Sequence, residues 1–275
     1  MPRLFAVIGN RSDFSRRVLA GAVGNASVSG AGGASLAWGI GMHDGGEVLL
    51  KRRPIDERPC IEVRSLFSDA RAEVLVGQVR RPEVGANCTE NTQPFRYRQW
   101  LYAQTGTLAA IQSIRGELFA NLPEFLKSVI AGQTDGELFF ATALSFLRDQ
   151  SLLDMGASAT SIGDALRSCS RLCASLAEQT GASPLPMNHL MADPDRVVAL
   201  VERPGAYVRA FTAASDFEEC LDDVDELRRR AVDFSRLQFF AFASDFDEPP
   251  AHHAWRPVPP GTAVVMTRKG IELLA

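Results

Sequence analysis

Short apolar runs of strand length occur in both halves of the chain, and the residues between them have helical periodicity. The strand-like runs are 4–8, 36–40, 47–50, 72–79 and 100–103 before the centre, and 188–191, 197–201, 207–210, 237–243 and 263–267 after it. In the centre, apolar residues recur every three or four positions over 108–118, 138–147 and 161–179, which predicts helices. Strands on both sides of a helical centre predict a layered α/β sandwich. The chain of 275 residues is long enough for one large domain or two small ones.

Two segments between these elements are predicted to be irregular. Residues 26–35 are rich in glycine and serine, which favours a flexible loop. Several prolines surround Trp255, and they predict a stiff, exposed segment before the last strand. In contrast, the T-x-x-E pattern from Thr134 to Glu137 is typical of a capping box and predicts the start of a helix there.

The charge and the metal-binding residues exclude several classes of protein. A net charge of -4 offers no basic surplus for a phosphate backbone or an anionic membrane, so neither nucleic acid nor membrane is an expected partner. The first thirty residues contain only a short apolar stretch, which predicts no export signal. Five cysteines without a C-x-x-C pair and only four histidines predict no disulfide framework and no metal site. A reducing, cytoplasmic location is therefore expected.

Four short blocks of polar and glycine residues follow one another in the middle of the chain. GQVRRPEVGANCTENTQPF (77–95) contains the first two, LYAQTGTL (101–108) the third and GQTDGE (132–137) the fourth. In order and spacing they resemble the class II glutamine amidotransferases, whose patterns read H-x-R-x-x-T-x-G, N-x-H-P-F, H-N-G-x-L and T-D-S-E. The segments 1–5, 37–41 and 255–259 extend the resemblance over nearly the whole chain. It implies the four-layered α/β/β/α sandwich of the N-terminal-nucleophile hydrolases, in a single domain over 1–275.

The resemblance also implies a defined chemistry. In this family a cysteine directly after the initiator methionine attacks the glutamine side-chain amide, and its own α-amine is the base. An asparagine side chain and the neighbouring glycine N–H stabilise the oxyanion. An arginine pairs with the substrate α-carboxylate, and an aspartate pairs with the α-ammonium group.

Several positions of this sequence depart from that pattern. Pro2 occupies the nucleophile position and Thr105 the oxyanion position, whereas Gly106 retains the backbone donor. Among the substrate-binding positions Arg80, Gly85 and Asp135 match the family, Glu83 replaces a threonine, and glutamine replaces histidine at Gln78, Gln93 and Gln104. Proline has neither a thiol nor a hydroxyl group. Loss of a catalytic nucleophile costs roughly 10⁴ to 10⁶ in rate in serine hydrolases.

We therefore interpret the chain as a pseudo-amidotransferase, a partner subunit in an oligomeric biosynthetic system. It is expected to bind a protein partner, such as an active paralogue, or a small amino-acid-like ligand between Arg80 and Asp135. Both residues also have structural interpretations, because Asp135 complements a helix dipole and Arg80 can pair with Glu83. No cofactor is implied. No synthetase, sugar-isomerase or phosphoribosyl region follows, so acceptor chemistry is expected on another chain.

Three alternatives remain open at this stage. The chain can be an active amidotransferase or amidohydrolase with an altered nucleophile. Pro2, if Met1 is removed, has a secondary amine that can act as base or nucleophile, and Cys88 in the loop after Arg80 offers a displaced thiol. The last alternative is a purely structural subunit with a filled pocket.

Overall fold

Two antiparallel sheets form the centre of the protein. The computed structural model describes residues 3–24, 26–30, 35–81, 86–154, 156–221, 224, 227, 232–245 and 254–274. The first sheet has the spatial order β13 (Arg256–Val258), β11 (Ala206–Phe211), β12 (Phe239–Ser244), β1 (Arg3–Gly9), β6 (Val74–Arg80), β3 (Leu36–Asp44) and β4 (Glu47–Asp56). The second has the order β15 (Gly270–Leu274), β14 (Thr262–Thr267), β10 (Arg196–Val201), β9 (Asn188–Asp193), β8 (Trp100–Thr105) and β7 (Phe95–Tyr97).

Helices cover the outer face of each sheet. Against the first sheet pack α1 (Ser15–Val23), α6 (Ala214–Cys220) and a 3₁₀ turn at Val63–Phe67. Against the second pack α2 (Ile111–Ala120), α3 (Glu124–Lys127), α4 (Asp135–Asp149) and α5 (Ala159–Gln179). The helices predicted over 138–147 and 161–179 are thus confirmed as α4 and α5.

Side-chain alternation along the strands separates three apolar cores. In β1, Leu4, Ala6 and Ile8 point into the core between the two sheets, whereas Phe5 and Val7 point outward to α1. A third core lies between the second sheet and α2 to α5. The chain therefore forms four layers, helix, sheet, sheet and helix, and the predicted layered sandwich is confirmed.

One local expectation was wrong, and a second holds only in part. Ser27–Ser29 form β2, which pairs with β5 (Cys60–Glu62), and the Val28 side chain is buried in the outer core of the first sheet. The rest of the predicted flexible loop includes residues 31–34, which lie outside the described residues. In the segment predicted to be stiff and exposed, Pro257, Pro259 and Pro260 are exposed, whereas Pro249 and Pro250 lie outside the described residues. The Trp255 indole is only 7% exposed and packs in the same core, as expected for a large aromatic side chain.

Candidate functional site

The residues singled out by the sequence blocks meet where β6 and β8 end, one strand from each sheet. Gln78, near the end of β6, donates from Nε2 to the carbonyl oxygen of Gln104 in β8. Gln93 accepts at Oε1 from the backbone N–H of Gln104, at 2.6 Å. All three glutamine side chains are buried. Three positions at which the resemblance expects histidine are therefore joined through one residue of β8.

The length of β7 explains why a side chain binds the backbone at this point. The pairing of β7 with β8 begins at Phe95 opposite Tyr102, so no strand of the sheet lies beside Gln104 on that side. Gln93 precedes β7, and its amide oxygen takes the place of a ladder acceptor. A buried backbone N–H without a partner would cost about 1–3 kcal/mol. The Gln93 side chain thus completes the edge of the second sheet.

Asp135 is the first residue of α4 and is 4% exposed. Its Oδ2 atom accepts from the backbone N–H of Leu108 at 2.8 Å and from Gln104 Nε2 at 3.3 Å. Burial raises the pKa of Asp135, although the N–H groups of Leu108 and Gly136 and the charge of Arg80 oppose that effect. The carboxylate therefore fixes the loop after β8 to the start of α4.

The predicted capping box is present in one half only. Thr134 Oγ1 accepts from the backbone N–H of Glu137 at 3.2 Å, as predicted for an N-cap. The Glu137 carboxylate does not accept from the backbone N–H of Thr134, as a full capping box would require. It accepts instead from the backbone N–H groups of Ala131 and Gly132, at 2.9 and 2.7 Å. Glu137 thereby holds the loop before α4.

Thr105 and Gly106 occupy the end of β8. Thr105 is fully buried, and its hydroxyl donates to Asp245 Oδ2 at 2.9 Å. Asp245 follows β12 in the other sheet, so this bond joins the two sheets at the same end as the Gln78 bond. Gly106 has a φ of +92°, and a Cβ there would lie 2.9 Å from the Met187 side chain, so both the backbone and the packing require glycine.

Asp245 also accepts from the hydroxyl of Ser244 at 2.7 Å, and Arg203 Nε lies 3.3 Å from its second oxygen. Its φ of +62° is rare for a residue with a side chain and has a cost of about 1–3 kcal/mol. No motif in the sequence indicates this carboxylate as a site residue. It lies 140 positions from Thr105, and only the stacking of the two sheets brings them together.

The remaining predicted residues are described in part. Arg80 ends β6 and donates from Nη2 to the carbonyl oxygen of Asn91 at 2.6 Å. Cys88 is half-buried, and its thiol hydrogen-bonds to the Glu90 carboxylate in the same loop. Pro2, Glu83 and Gly85 lie outside the described residues.

A chain of buried hydrogen bonds leads from Asp135 through the second sheet. Tyr102 Oη lies 2.7 Å from Gln104 Oε1 and also 2.7 Å from His189 Nδ1. His189 Nε2 lies 3.7 Å from Glu202 Oε2, beyond the end of β10. Tyr102 and His189 are fully buried, and the sequence analysis identified neither.

Comparison with known proteins decides the family. The family model described as class II glutamine amidotransferases matches residues 14–274. The chain belongs to the class II glutamine amidotransferases. A comparison with curated protein sequences gives no match.

Solved structures of amidotransferases have the same fold. A glutamine aminotransferase class-II domain protein from Silicibacter pomeroyi has a TM-score of 0.59 at 14% identity, over 99% of this chain and 98% of that one. A predicted glutamine amidotransferase from Pseudomonas aeruginosa has a TM-score of 0.55 at 17% identity, over 100% and 96%. The phosphoribosylpyrophosphate amidotransferase of B. subtilis has a TM-score of 0.53 at 15% identity, over 99% of this chain and 48% of its own. The α/β/β/α fold of the N-terminal-nucleophile hydrolases is thus confirmed.

The described part of the chain offers neither a metal cluster nor a membrane span. Within the described ranges, no three His, Cys, Asp or Glu side chains are grouped closely enough to hold a metal ion. None of the helices in that part of the chain has the length and apolar composition that a bilayer span requires.

Proposed function

We propose that this class II amidotransferase-like chain does not hydrolyse glutamine and acts as a binding subunit for a protein partner or a small amino-acid-like ligand. The observation that carries the proposal is the 2.9 Å hydrogen bond from Thr105 Oγ1 to Asp245 Oδ2. The family resemblance assigns position 105 to the side chain that donates to the oxyanion. A hydroxyl has a single proton to donate, and here that proton is directed to a carboxylate.

The charge of Asp245 supports the same proposal. Two negative charges about 4 Å apart repel by about 4 kcal/mol at an effective dielectric constant of about 20. One oxyanion donor contributes about 2.7–4 kcal/mol. The repulsion is therefore as large as the stabilisation that the family donor would supply. Arg203, 3.3 Å from Asp245, offsets part of it.

The three glutamines add a second line of support. An imidazole can gain or lose a proton near neutral pH, whereas an amide cannot. Gln78 and Gln93 both use their amides to bind the backbone of Gln104. Gln78 therefore joins the two sheets, Gln93 completes the edge of the second sheet, and neither amide offers a group for proton transfer.

The first test is glutamine hydrolysis by the purified full chain. Release of glutamate and ammonia is expected to equal the buffer blank over a range of glutamine concentrations. A turnover that the wild type shows, and that Thr105→Val removes, would contradict the proposal. Thr105→Val keeps the shape of the side chain and removes only its hydrogen bond to Asp245.

A second test rebuilds the family chemistry. Pro2→Cys with Thr105→Asn restores the nucleophile and the donor, and Asp245→Asn additionally removes the opposing charge. We expect turnover only when all three changes are combined. No turnover in the triple variant would favour the protein partner over a ligand pocket with the family's substrate geometry. Turnover in the Pro2→Cys single variant would contradict the argument from Thr105 and Asp245.

Ligand binding is measured separately by thermal unfolding with glutamine and other amino acids. A ligand that binds only the folded chain raises its Tm with concentration. Arg80→Met is the matched variant, because it removes the guanidinium and keeps most of the apolar stem. A shift in the wild type that Arg80→Met abolishes favours a small zwitterionic ligand. No shift with any amino acid favours the protein partner, which co-purification from the native host then tests.

One observation favours a second candidate, an amidohydrolase with an altered nucleophile. Thr105 and Ser244 both donate to Asp245 Oδ2, which is the pairing by which a carboxylate takes a proton from an attacking hydroxyl. Labelling of Thr105 or Ser244 by a glutamine-derived electrophile, lost in the Asp245→Asn variant, would favour this candidate. Both hydroxyls are fully buried, so we expect no labelling.

A further inference from the structure

A cavity of about 370 Å³ lies at the same end of the second sheet, on its helical side. Its walls include Leu108 after β8, Cys173 and Ala174 on α5, Met187 before β9, and Glu202 after β10. Since a water molecule occupies about 30 Å³, the cavity has room for a ligand of roughly ten non-hydrogen atoms.

Glu202 supplies the charge in this cavity. Ser170 Oγ donates to one oxygen of its carboxylate, and the backbone N–H of Met187 donates to the other at 3.1 Å. These bonds fix the carboxylate and leave each oxygen a further lone pair. The side chain is 22% exposed, so that remaining acceptor capacity is accessible.

In the described part of the chain, this carboxylate has no permanent positive charge beside it. Among the described residues, no Lys or Arg side chain lies within 4.0 Å of Glu202, and the nearest base is the His189 ring at 3.7 Å. An imidazole carries a charge only when protonated.

The hydrogen-bond chain determines which His189 nitrogen carries the proton. Asp135 Oδ2 accepts from Gln104 Nε2, so the Gln104 amide turns its oxygen toward Tyr102. Gln104 Oε1 can only accept, so the Tyr102 hydroxyl donates to it. His189 Nδ1 must then donate to the oxygen of Tyr102.

A neutral His189 consequently has an unprotonated Nε2, which faces Glu202 and has no hydrogen-bond partner among the described residues. The lone pair of His189 Nε2 and the negative charge of the Glu202 carboxylate then face each other and repel in a partly buried setting. A cation placed on the open side of Glu202 relieves this arrangement, since attraction between charges is stronger where water is partly excluded.

We propose that this cavity binds a small organic ammonium ion, with its charged nitrogen on Glu202 and its alkyl part between α5 and the loop before β9. The apolar surface that receives the alkyl part comes from Leu108, Cys173, Ala174 and Met187. An ammonium group donates three hydrogen bonds and suits the free lone pairs of Glu202. The inference does not depend on the loss of glutamine hydrolysis, because the residues that hold the ligand are distinct from Thr105 and Asp245.

The test uses n-butylammonium chloride as the probe, by isothermal titration and by thermal unfolding of the full chain. The controls are n-butanol and sodium butyrate, which have the same alkyl chain with no charge or with the opposite charge. We expect saturable binding and a raised Tm with n-butylammonium only. Glu202→Gln is expected to weaken binding about tenfold or more, corresponding to about 1.4 kcal/mol. Glu178→Gln removes a charge from an exposed position of α5 and is expected to leave binding unchanged.

Ala174→Leu provides an independent test, because it adds three carbon atoms to the apolar wall that receives the alkyl part and leaves Glu202 unchanged. It is expected to weaken binding of n-butylammonium even if Glu202→Gln does not fold. Equal binding of n-butanol and n-butylammonium would overturn the proposal. Unchanged n-butylammonium affinity in either folded variant, or no saturable binding by the wild type, would also overturn it.

Discussion

Acidification is expected to destabilise the protein through His43, a residue of β3. The ring is 1% exposed, and neither of its nitrogens has a hydrogen-bond partner among the described residues. The pKa of His43 is lowered from 6.5 to about 4, mainly by burial and also by the nearby charges of Arg96 and Arg268, against that of Asp195. The ring is therefore neutral in the folded protein at pH values where it is charged in the unfolded chain.

The sign and size of the effect follow from this difference in pKa. Below about pH 6.5 the unfolded chain binds a proton that the folded protein does not, so stability falls as the pH falls and stops falling near pH 4. A difference of about 2.5 in pKa corresponds to about 3 kcal/mol when the transition is complete. Between about pH 7.5 and about pH 5, the expected loss from His43 alone is about 2 kcal/mol.

The assay is urea unfolding of the wild type and of His43→Leu at both pH values. Leucine has a similar volume and no titrating group, so the difference between the two proteins isolates His43 from other titrating groups. We expect the wild type to lose about 2 kcal/mol more than the variant between the two pH values, with little change in the denaturant slope. The same pH dependence in both proteins, within about 0.5 kcal/mol, would refute the reasoning.

Three further predictions concern single positions. Cys60 is exposed and is expected to react with a thiol reagent in the native protein. Cys169 is buried, and because burial raises the pKa of its thiol, it is expected to react only after unfolding. The time course of labelling checks both expectations. Gly39→Ala places a Cβ against the backbone carbonyl of Gln93, and thermal unfolding is expected to show a loss of about 1–3 kcal/mol in stability. At the control position, Gly116→Ala meets open space and is expected to leave the stability unchanged or to raise it. Asp56→Asn weakens a buried hydrogen bond from the Trp38 indole and a partly exposed one from the Arg58 guanidinium, and it is expected to cost about 1–3 kcal/mol near neutral pH. Since hydrogen bonds to that guanidinium lower the pKa of Asp56, the difference from wild type is expected to shrink as the pH falls through the acidic range.

Local patterns predicted the long central helices and the strands on both sides of them, but not α1 or β2. The apolar periodicity that indicated helices over 138–147 and 161–179 reflects one buried face of α4 and of α5. The order of the layers came from the family resemblance, because periodicity does not say which sheet a strand joins. Trp255 illustrates the limit of composition: its prolines favour exposure, but its indole is buried against the first sheet.

The candidate site was predictable only in part. Motif spacing brought Gln78, Gln104 and Asp135 into one cluster, and the structure joins all three. It could not identify Asp245 or His189, because each contributes through contacts between distant segments. The only local signal for Asp245 is a carboxylate directly after the apolar run of β12.

The bonds at the end of the sandwich depend on one another. Gln78 binds the carbonyl oxygen of Gln104, Gln93 binds its N–H group, and the Gln104 side chain binds Asp135. Changing any one of these side chains to an apolar residue leaves a buried polar group without a partner, which costs about 1–3 kcal/mol. Exchange of a single glutamine for histidine would likewise lose an amide that donates or accepts at a fixed distance. Such coupling favours replacement of these positions as a set. Thr105 donates across the two sheets to Asp245, so it is a structural residue as well as a candidate site residue.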